Sequence, residues 1–174
     1  MQGFEDVVTQ QQRKVHSFAH YFLGSPEEAE DVTQEVFLKL WKNWSKVDLE
    51  RVRPWLLRVT RNACYDRLRK KRSTARVINM DTDPEIVESS PGRDPGPEVD
   101  AQRADFRRNI TGELQKLGEP YRSILILREI EGLRYREISE ILDLPLNTVR
   151  VYIHRGRKQL REQLAGRYDS VAIA

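Results

Sequence analysis

Between Arg150 and Arg161 the chain carries Arg150, His154, Arg155, Arg157, Lys158 and Arg161 with no acidic residue among them. Arg150, His154, Arg157 or Lys158, and Arg161 recur at steps of three and four. On a helix they form one basic stripe beside an apolar stripe of Val149, Ile153, Leu160 and Leu164. Such a face suits a nucleic acid: cations neutralise phosphates, and an arginine near a helix start can present its planar fork to a guanine edge. Arg150 and Val151 are placed for base contact. The alternative is a basic, solvated helix end favoured by the helix dipole, and the helix and turn that precede the stripe weigh against it.

A second stripe steps through Arg58, Arg61, Tyr65, Arg69 and Arg72, with Lys70 and Lys71 adding charge. A tyrosine within a basic stripe can stack on an unpaired base, so this surface suits single-stranded or distorted DNA; Tyr65 could equally cover its own helix. Asp31, Gln34 and Glu35 beside Phe37, Leu38 and Trp41 make an acidic and apolar mixture that suits a protein partner rather than DNA. The alternative there makes Phe37 and Trp41 core residues and the carboxylates a solvated helix start.

Other signals carry less. His16 and His20 stand four apart, but no further ligand at a typical spacing accompanies them, so no metal is expected. The single cysteine, Cys64, excludes an internal disulfide and reads as buried rather than nucleophilic. Without a phosphate loop, a metal signature or a nucleophile paired with histidine, neither an enzyme nor a cofactor is expected. The N-terminus lacks the apolar run of a secretory signal and no stretch has the length of a membrane span, so a cytoplasmic protein without membrane insertion is expected.

Helices must position these residues. Over 174 residues, 33% charged against 39% apolar suits amphipathic helices in small modules better than one large core, and the net charge of +3 averages segments of opposite sign. Phe4, Val7, Val8, Val15, Phe18, Ala19 and Phe22 predict a first helix ended by Gly24. Ser25 caps a second, with Pro26 in its first turn and Glu28 reaching back to the cap, running to about Trp44. Pro54 begins a third that extends toward Arg72.

From Val77 to Asp100, Asp81, Asp83, Glu85, Glu88, Asp94, Glu98 and Asp100 face Arg93 alone, and four prolines intervene; this predicts an extended, mobile linker. Periodicity resumes with Phe106, Ile110, Leu114 and Leu117, and after Pro120 with Ile124, Leu125, Leu127 and Ile130, with Gly118 and Gly132 as punctuation. Tyr135 to Leu142, a break at Asp143-Leu144-Pro145 and a helix from about Asn147 to Leu164 have the layout of a helix-turn-helix. The expected fold is all-α: a three- to four-helix N-terminal domain over 1–75, an acidic flexible linker over 76–103, a helix-turn-helix domain over 104–166 and a tail over 167–174.

The stretch from Ala29 to Trp41, AEDVTQEVFLKLW, closely resembles the second conserved region of extracytoplasmic-function (ECF) sigma factors of the sigma-70 family. Pro54-Trp55-Leu56-Leu57-Arg58-Val59 with Asn62 is similar to the next helix of that region, and Leu144 to Arg150 looks like the helix-turn-helix of the fourth. The resemblance implies a factor that binds core RNA polymerase, recognises minus-ten and minus-thirty-five promoter elements and promotes DNA opening. An anti-sigma factor is implied as a further partner.

Carried over by position, Asp31, Gln34, Glu35, Leu38 and Trp41 are the expected polymerase contacts. Asn43 and Lys46, in a loop resembling the one that captures a flipped base, join Arg58, Arg61, Asn62, Tyr65 and Arg69 as the expected minus-ten contacts. Thr148, Arg150, Val151, His154, Arg155 and Lys158 are the expected minus-thirty-five readers. Leu146-Asn147 departs from the Val-Gly frequent in the family, which leaves the promoter sequence open. Two rival readings remain at this stage. A helix-turn-helix repressor or activator acting alone explains the C-terminal half only, and a module gripping an acidic protein partner would use both basic stripes.

Overall fold

The computed structural model describes residues 2–78 and 98–172, with side chains over 3–75 and 105–166. The first helix, α1 (Gln2–Leu23), buries Val15, Phe18, Ala19 and Phe22 and stops at Gly24. The φ of +72° at Gly24 lets its N–H return to the His20 carbonyl at 2.8 Å, the left-handed C-terminal stop that glycine makes at low cost. Ser25 then caps α2 (Pro26–Lys42), its hydroxyl accepting from the Glu28 N–H at 3.3 Å.

Two sequence expectations are corrected here. The carboxylate that meets the cap hydroxyl is Glu27, at 3.0 Å, while Glu28 pairs with Lys71 of the third helix at 2.7 Å. The helix also stops at Lys42 rather than Trp44. Asn43 takes over the Lys39 carbonyl with both backbone and side-chain N–H groups, and Trp44 begins a 3-10 turn, Trp44–Lys46, with its ring against Phe4.

After a second 3-10 turn, Leu49–Arg51, α3 (Val52–Ile78) starts earlier and runs further than its apolar periodicity indicates. Leu56, Leu57, Thr60, Ala63 and Cys64 line its buried side. The helix α4 (Glu98–Lys116) likewise begins inside the acidic stretch, so Glu98 and Asp100 are helical rather than part of an extended linker. The extended character expected for the remainder of that stretch falls at 79–97, outside the described residues.

Of the α4 stripe, Leu114 and Leu117 are buried, whereas Phe106 is 62% exposed and not a core residue. The short α5 (Tyr121–Leu125) passes into a π-helical segment, Ile126–Ile130, and Gly132 turns the chain with φ +67°. Then follow α6 (Tyr135–Leu142), Asp143 in the left-handed region at φ 53°, and α7 (Leu146–Ala172), the last two forming the helix-turn-helix. Val149 and Ile153 are buried beneath α7, and Leu160 packs partly against the same core.

The described residues are thus arranged as two helical modules, α1–α3 and α4–α7, as the all-α reading holds. The modules are not separate bodies: their buried side chains form one continuous cluster, with α1 against α4 and α3 against α6. Four arginines cross the seam, mostly to carbonyls at helix C-termini, where the last turn leaves oxygens without intrahelical donors. Arg122, 4% exposed, donates to Phe22 O at the end of α1 at 3.3 Å and to Leu117 O and Gln115 O at the end of α4, with its guanidinium over the Phe22 ring.

From α3, Arg53 donates to Glu131 O at 3.5 Å and lies 4.0 Å from the Glu137 carboxylate. Arg58 donates to Glu140 O and Ile141 O, and Arg61 pairs with Glu119 at 3.1 Å. None of these crossings follows from periodicity. One signal for Arg122 was present: a cation in the first turn of a helix opposes the dipole and needs acceptors from elsewhere.

Candidate nucleic-acid interface

The helix α7 presents Arg150, Val151, His154, Arg155 and Lys158 on an exposed face, with Thr148 half-buried at its start. Burial of Val149 and Ile153 sets this orientation, because residues one position away from the core stripe turn outward. Val151 is 45% exposed, a branched apolar group held in water among cations. Arg150 donates to the Asn147 side chain at 3.2 Å, which steadies its fork. Among the described residues, no carboxylate pairs with Arg150, His154, Arg155 or Lys158. Arg157 differs, being tied to Glu129 at 2.6 Å, a contact that raises its pKa and anchors α7 to the π segment.

The stripe on α3 is divided. Asn62, Tyr65 and Arg69 are exposed, and Arg69 lies 3.6 Å from Asp66. The Arg61 guanidinium lies 5.5 Å from the Tyr65 ring centroid while also pairing with Glu119, and two nitrogens of Arg58, itself an exposed residue, donate to α6. Asn43 and Lys46 sit at the α2 exit, Asn43 holding the helix end and Lys46 exposed. The fold therefore leaves most of the expected minus-ten set open and ties Arg58 and Arg61 in part to the second module.

On α2, Gln34, Leu38 and Trp41 share one face at steps of four and three, and Leu38 and Trp41 are 61% and 54% exposed. Trp41 is thus not a core residue; Phe4 meets its ring edge-on at 4.9 Å, while Phe37 packs partly against the core. Asp31 and Glu35 border this patch; Asp31 accepts from Arg67 of α3 at 3.4 Å, and the Glu35 carboxylate lies 3.9 Å from the same guanidinium. Glu35 also pairs with Lys39 at 2.7 Å, which holds its carboxyl below the usual range. An exposed tryptophan and leucine rimmed by carboxylates is a surface for protein, not for phosphate.

The thiol of Cys64 is wholly buried, and burial pushes its pKa far above the ordinary range, so it is no nucleophile. His16 and His20 stack at 6.3 Å, and burial followed by the neighbouring His16 lowers the pKa of His20. Among the described residues no group of His, Cys, Asp and Glu converges as a metal site. None of the described helices is long and apolar enough to cross a membrane.

The described residues thus carry a cationic helix-turn-helix face, a second basic stripe and an exposed apolar patch on two joined helical modules. The chain matches the Sigma-70 region 2 family over residues 7–74 and the Sigma-70 region 4 family over residues 107–160. It is 33% identical to the ECF RNA polymerase sigma factor SigE of Mycolicibacterium smegmatis, over 95% of this chain and 63% of that protein. To the ECF RNA polymerase sigma factor SigW of Bacillus subtilis it is 32% identical, over 93% of this chain and 89% of that protein.

The fold is shared with the sigma factor RpoE of Bartonella quintana, solved with the anti-sigma factor NepR: TM-score 0.72 at 20% identity, covering 95% of this chain and 98% of that one. It is shared also with CnrH, solved with the cytosolic domain of CnrY: TM-score 0.71 at 22% identity, covering 95% and 89%. The chain belongs to the ECF RNA polymerase sigma factors. It is a transcription initiation factor that binds core RNA polymerase and directs it to promoter DNA.

Proposed function

We propose that the three exposed faces divide the work of initiation. Gln34, Leu38 and Trp41, with Asp31 and Glu35, dock on the polymerase. Asn43, Lys46, Arg58, Arg61, Asn62, Tyr65 and Arg69 hold the minus-ten strand. Thr148, Arg150, Val151, His154, Arg155 and Lys158 read the minus-thirty-five element in the major groove. The observation that carries this reading is the exposure of Leu38 and Trp41 at 61% and 54% on the same chain as a recognition helix whose leading cations are free of carboxylates.

Stacking of a base on Tyr65, 39% exposed beside Arg61, suits a melted strand. The module boundaries are proposed at 1–75 and 104–166. The chain works as a binding factor in the cytoplasm without catalysing a reaction itself, and a partner of the anti-sigma kind holds it inactive. In support of the last point, two structures that share its fold were solved as complexes, one with the anti-sigma factor NepR and one with the cytosolic domain of CnrY.

The test mixes the full chain with core polymerase, isolates the complex by size-exclusion chromatography and asks whether it initiates on genomic fragments. Initiation lost on Trp41→Ala through failure to join the polymerase, and on Arg150→Glu with the complex intact, is expected. Loss of polymerase binding in both variants would sink the assignment of faces.

A further inference from the structure

We propose that Asn147 is a positioning residue for Arg150: its carboxamide oxygen holds the guanidinium at the start of α7, and the pair together sets a base preference that neither side chain sets alone. The inference deepens the minus-thirty-five reading and rests on the assignment of Arg150 to a base edge.

Asn147 and Arg150 stand three residues apart on α7, so their side chains are neighbours on one face of the helix. Both are exposed, and Nη1 of Arg150 donates to Oδ1 of Asn147 at 3.2 Å. Among the described residues no carboxylate competes for this guanidinium, and Asn147 is its one side-chain partner. Glycine, frequent at this place in the family, offers no side-chain acceptor, so the contact is a feature this chain adds to the helix-turn-helix.

A guanidinium has donors and no acceptor, so only the oxygen of the amide can face it. With Nη1 held, Nε and Nη2 on the opposite edge of the planar fork remain free. Those are two parallel donors, the arrangement that meets O6 and N7 of a guanine in the major groove. A neutral amide fixes the fork without cancelling its charge. A carboxylate at the same place would form a charge-assisted pair and weaken the attraction of phosphates to the tip of α7.

The effect is one of preorganisation. An arginine side chain free in water samples many rotamers, and fixing one of them on a base costs entropy. A hydrogen bond already made in the unbound chain lowers that cost at the base edge. An exposed side-chain hydrogen bond replaces one to water and contributes little to folding, so the gain falls on discrimination between bases and not on stability.

The test uses the full chain joined to core polymerase. Its probe is a promoter fragment recovered by initiation and randomised over the minus-thirty-five segment. Bound sequences are counted for the parent, Asn147→Ala, Arg150→Ala and the double variant. Both side chains are exposed and alanine favours a helix, so the variants keep the fold, which circular dichroism checks.

Expected is that Arg150→Ala flattens the preference at one base pair. Asn147→Ala weakens the preference at that same pair by about two- to tenfold, the cost of ordering one long side chain, and leaves the other pairs unchanged. The double variant is no flatter there than Arg150→Ala, because the asparagine acts through the arginine. Asn147→Asp, which keeps the acceptor, retains the preference at that pair while its charge lowers affinity for every sequence.

A loss in Asn147→Ala that is spread evenly over all pairs, or that adds to the loss in Arg150→Ala, overturns the positioning role and leaves Asn147 a mere support of the helix start. Unchanged discrimination in Asn147→Ala overturns it as well, with the minus-thirty-five reading still standing. Should Arg150→Ala itself flatten no pair, the assignment of Arg150 fails, and the proposal with it.

Discussion

The Arg58 guanidinium of α3 donates to the Ile141 and Glu140 carbonyls at the end of α6, so a side chain of the N-terminal basic stripe terminates the first helix of the helix-turn-helix. The same device recurs in the opposite direction, where Arg122 terminates α1 through Phe22 O. Terminal carbonyls and guanidinium groups are matched because one offers lone pairs without donors and the other donors without acceptors.

Arg122→Ala is expected to lower the stability of the full chain by about 2–4 kcal/mol, since it empties a buried site and strips donors from three carbonyls. Arg122→Lys should recover only part, an ammonium being unable to span all three. Denaturant unfolding measures both, and a loss under about 1 kcal/mol would contradict the clamp.

Arg150→Glu should reduce promoter-dependent initiation by about 10- to 100-fold, the range of one bidentate base contact, while core polymerase binding stays close to that of the parent. Lys158→Ala should weaken binding to all promoters alike and lower the salt slope by about one. Equal losses in initiation and polymerase binding for Arg150→Glu would move the DNA face elsewhere.

Leu38→Ala with Trp41→Ala should reduce polymerase affinity by about tenfold or more, as expected when an apolar anchor is removed, with an unchanged helical circular dichroism spectrum because both are exposed. Gln34→Ala with Glu35→Ala should act in the same direction. An unaltered dissociation constant in both would remove α2 as the docking helix.

Glu131 supplies a pH dependence. Burial raises its pKa above the ordinary glutamate range, against the opposing effects of the Ser17 hydrogen bond and of Arg53 and Lys14. A raised carboxyl pKa means that the folded chain holds its proton longer than the unfolded one, so this group favours the fold at low pH and loses that contribution as pH rises through the folded pKa. Glu131→Gln should therefore raise the melting temperature by about 1–3 °C near pH 7. The difference should shrink as the pH falls below the unfolded glutamate pKa of about 4.3, where the carboxyl becomes protonated in both folded and unfolded chains. A difference that instead grows on acidification would show the carboxylate to be favoured in the fold.

Much of the fold was legible because each helix declares itself locally. Gly24 stops α1, Ser25-Pro26 starts α2, and Val149 and Ile153 turn the cations of α7 outward, all within a few residues of chain. Where local signals competed, the reading erred: Phe106 fits an apolar stripe yet lies in water, and Glu98 and Asp100 continue a helix despite their charge.

The sequence by itself determined the element order and the two cationic stripes, because periodicity and capping depend on residues at most a few positions apart, whereas the exposure of Trp41 on α2 was left to the fold. Only the tertiary structure decided that Arg58 and Arg61 face Ile141 and Glu119, partners some 60 to 80 positions away. Such pairings arise when two buried surfaces meet and bring helix ends within reach of one another's side chains. A guanidinium bonded to a distant carbonyl and one waiting for a phosphate are the same residue until that meeting assigns the acceptor.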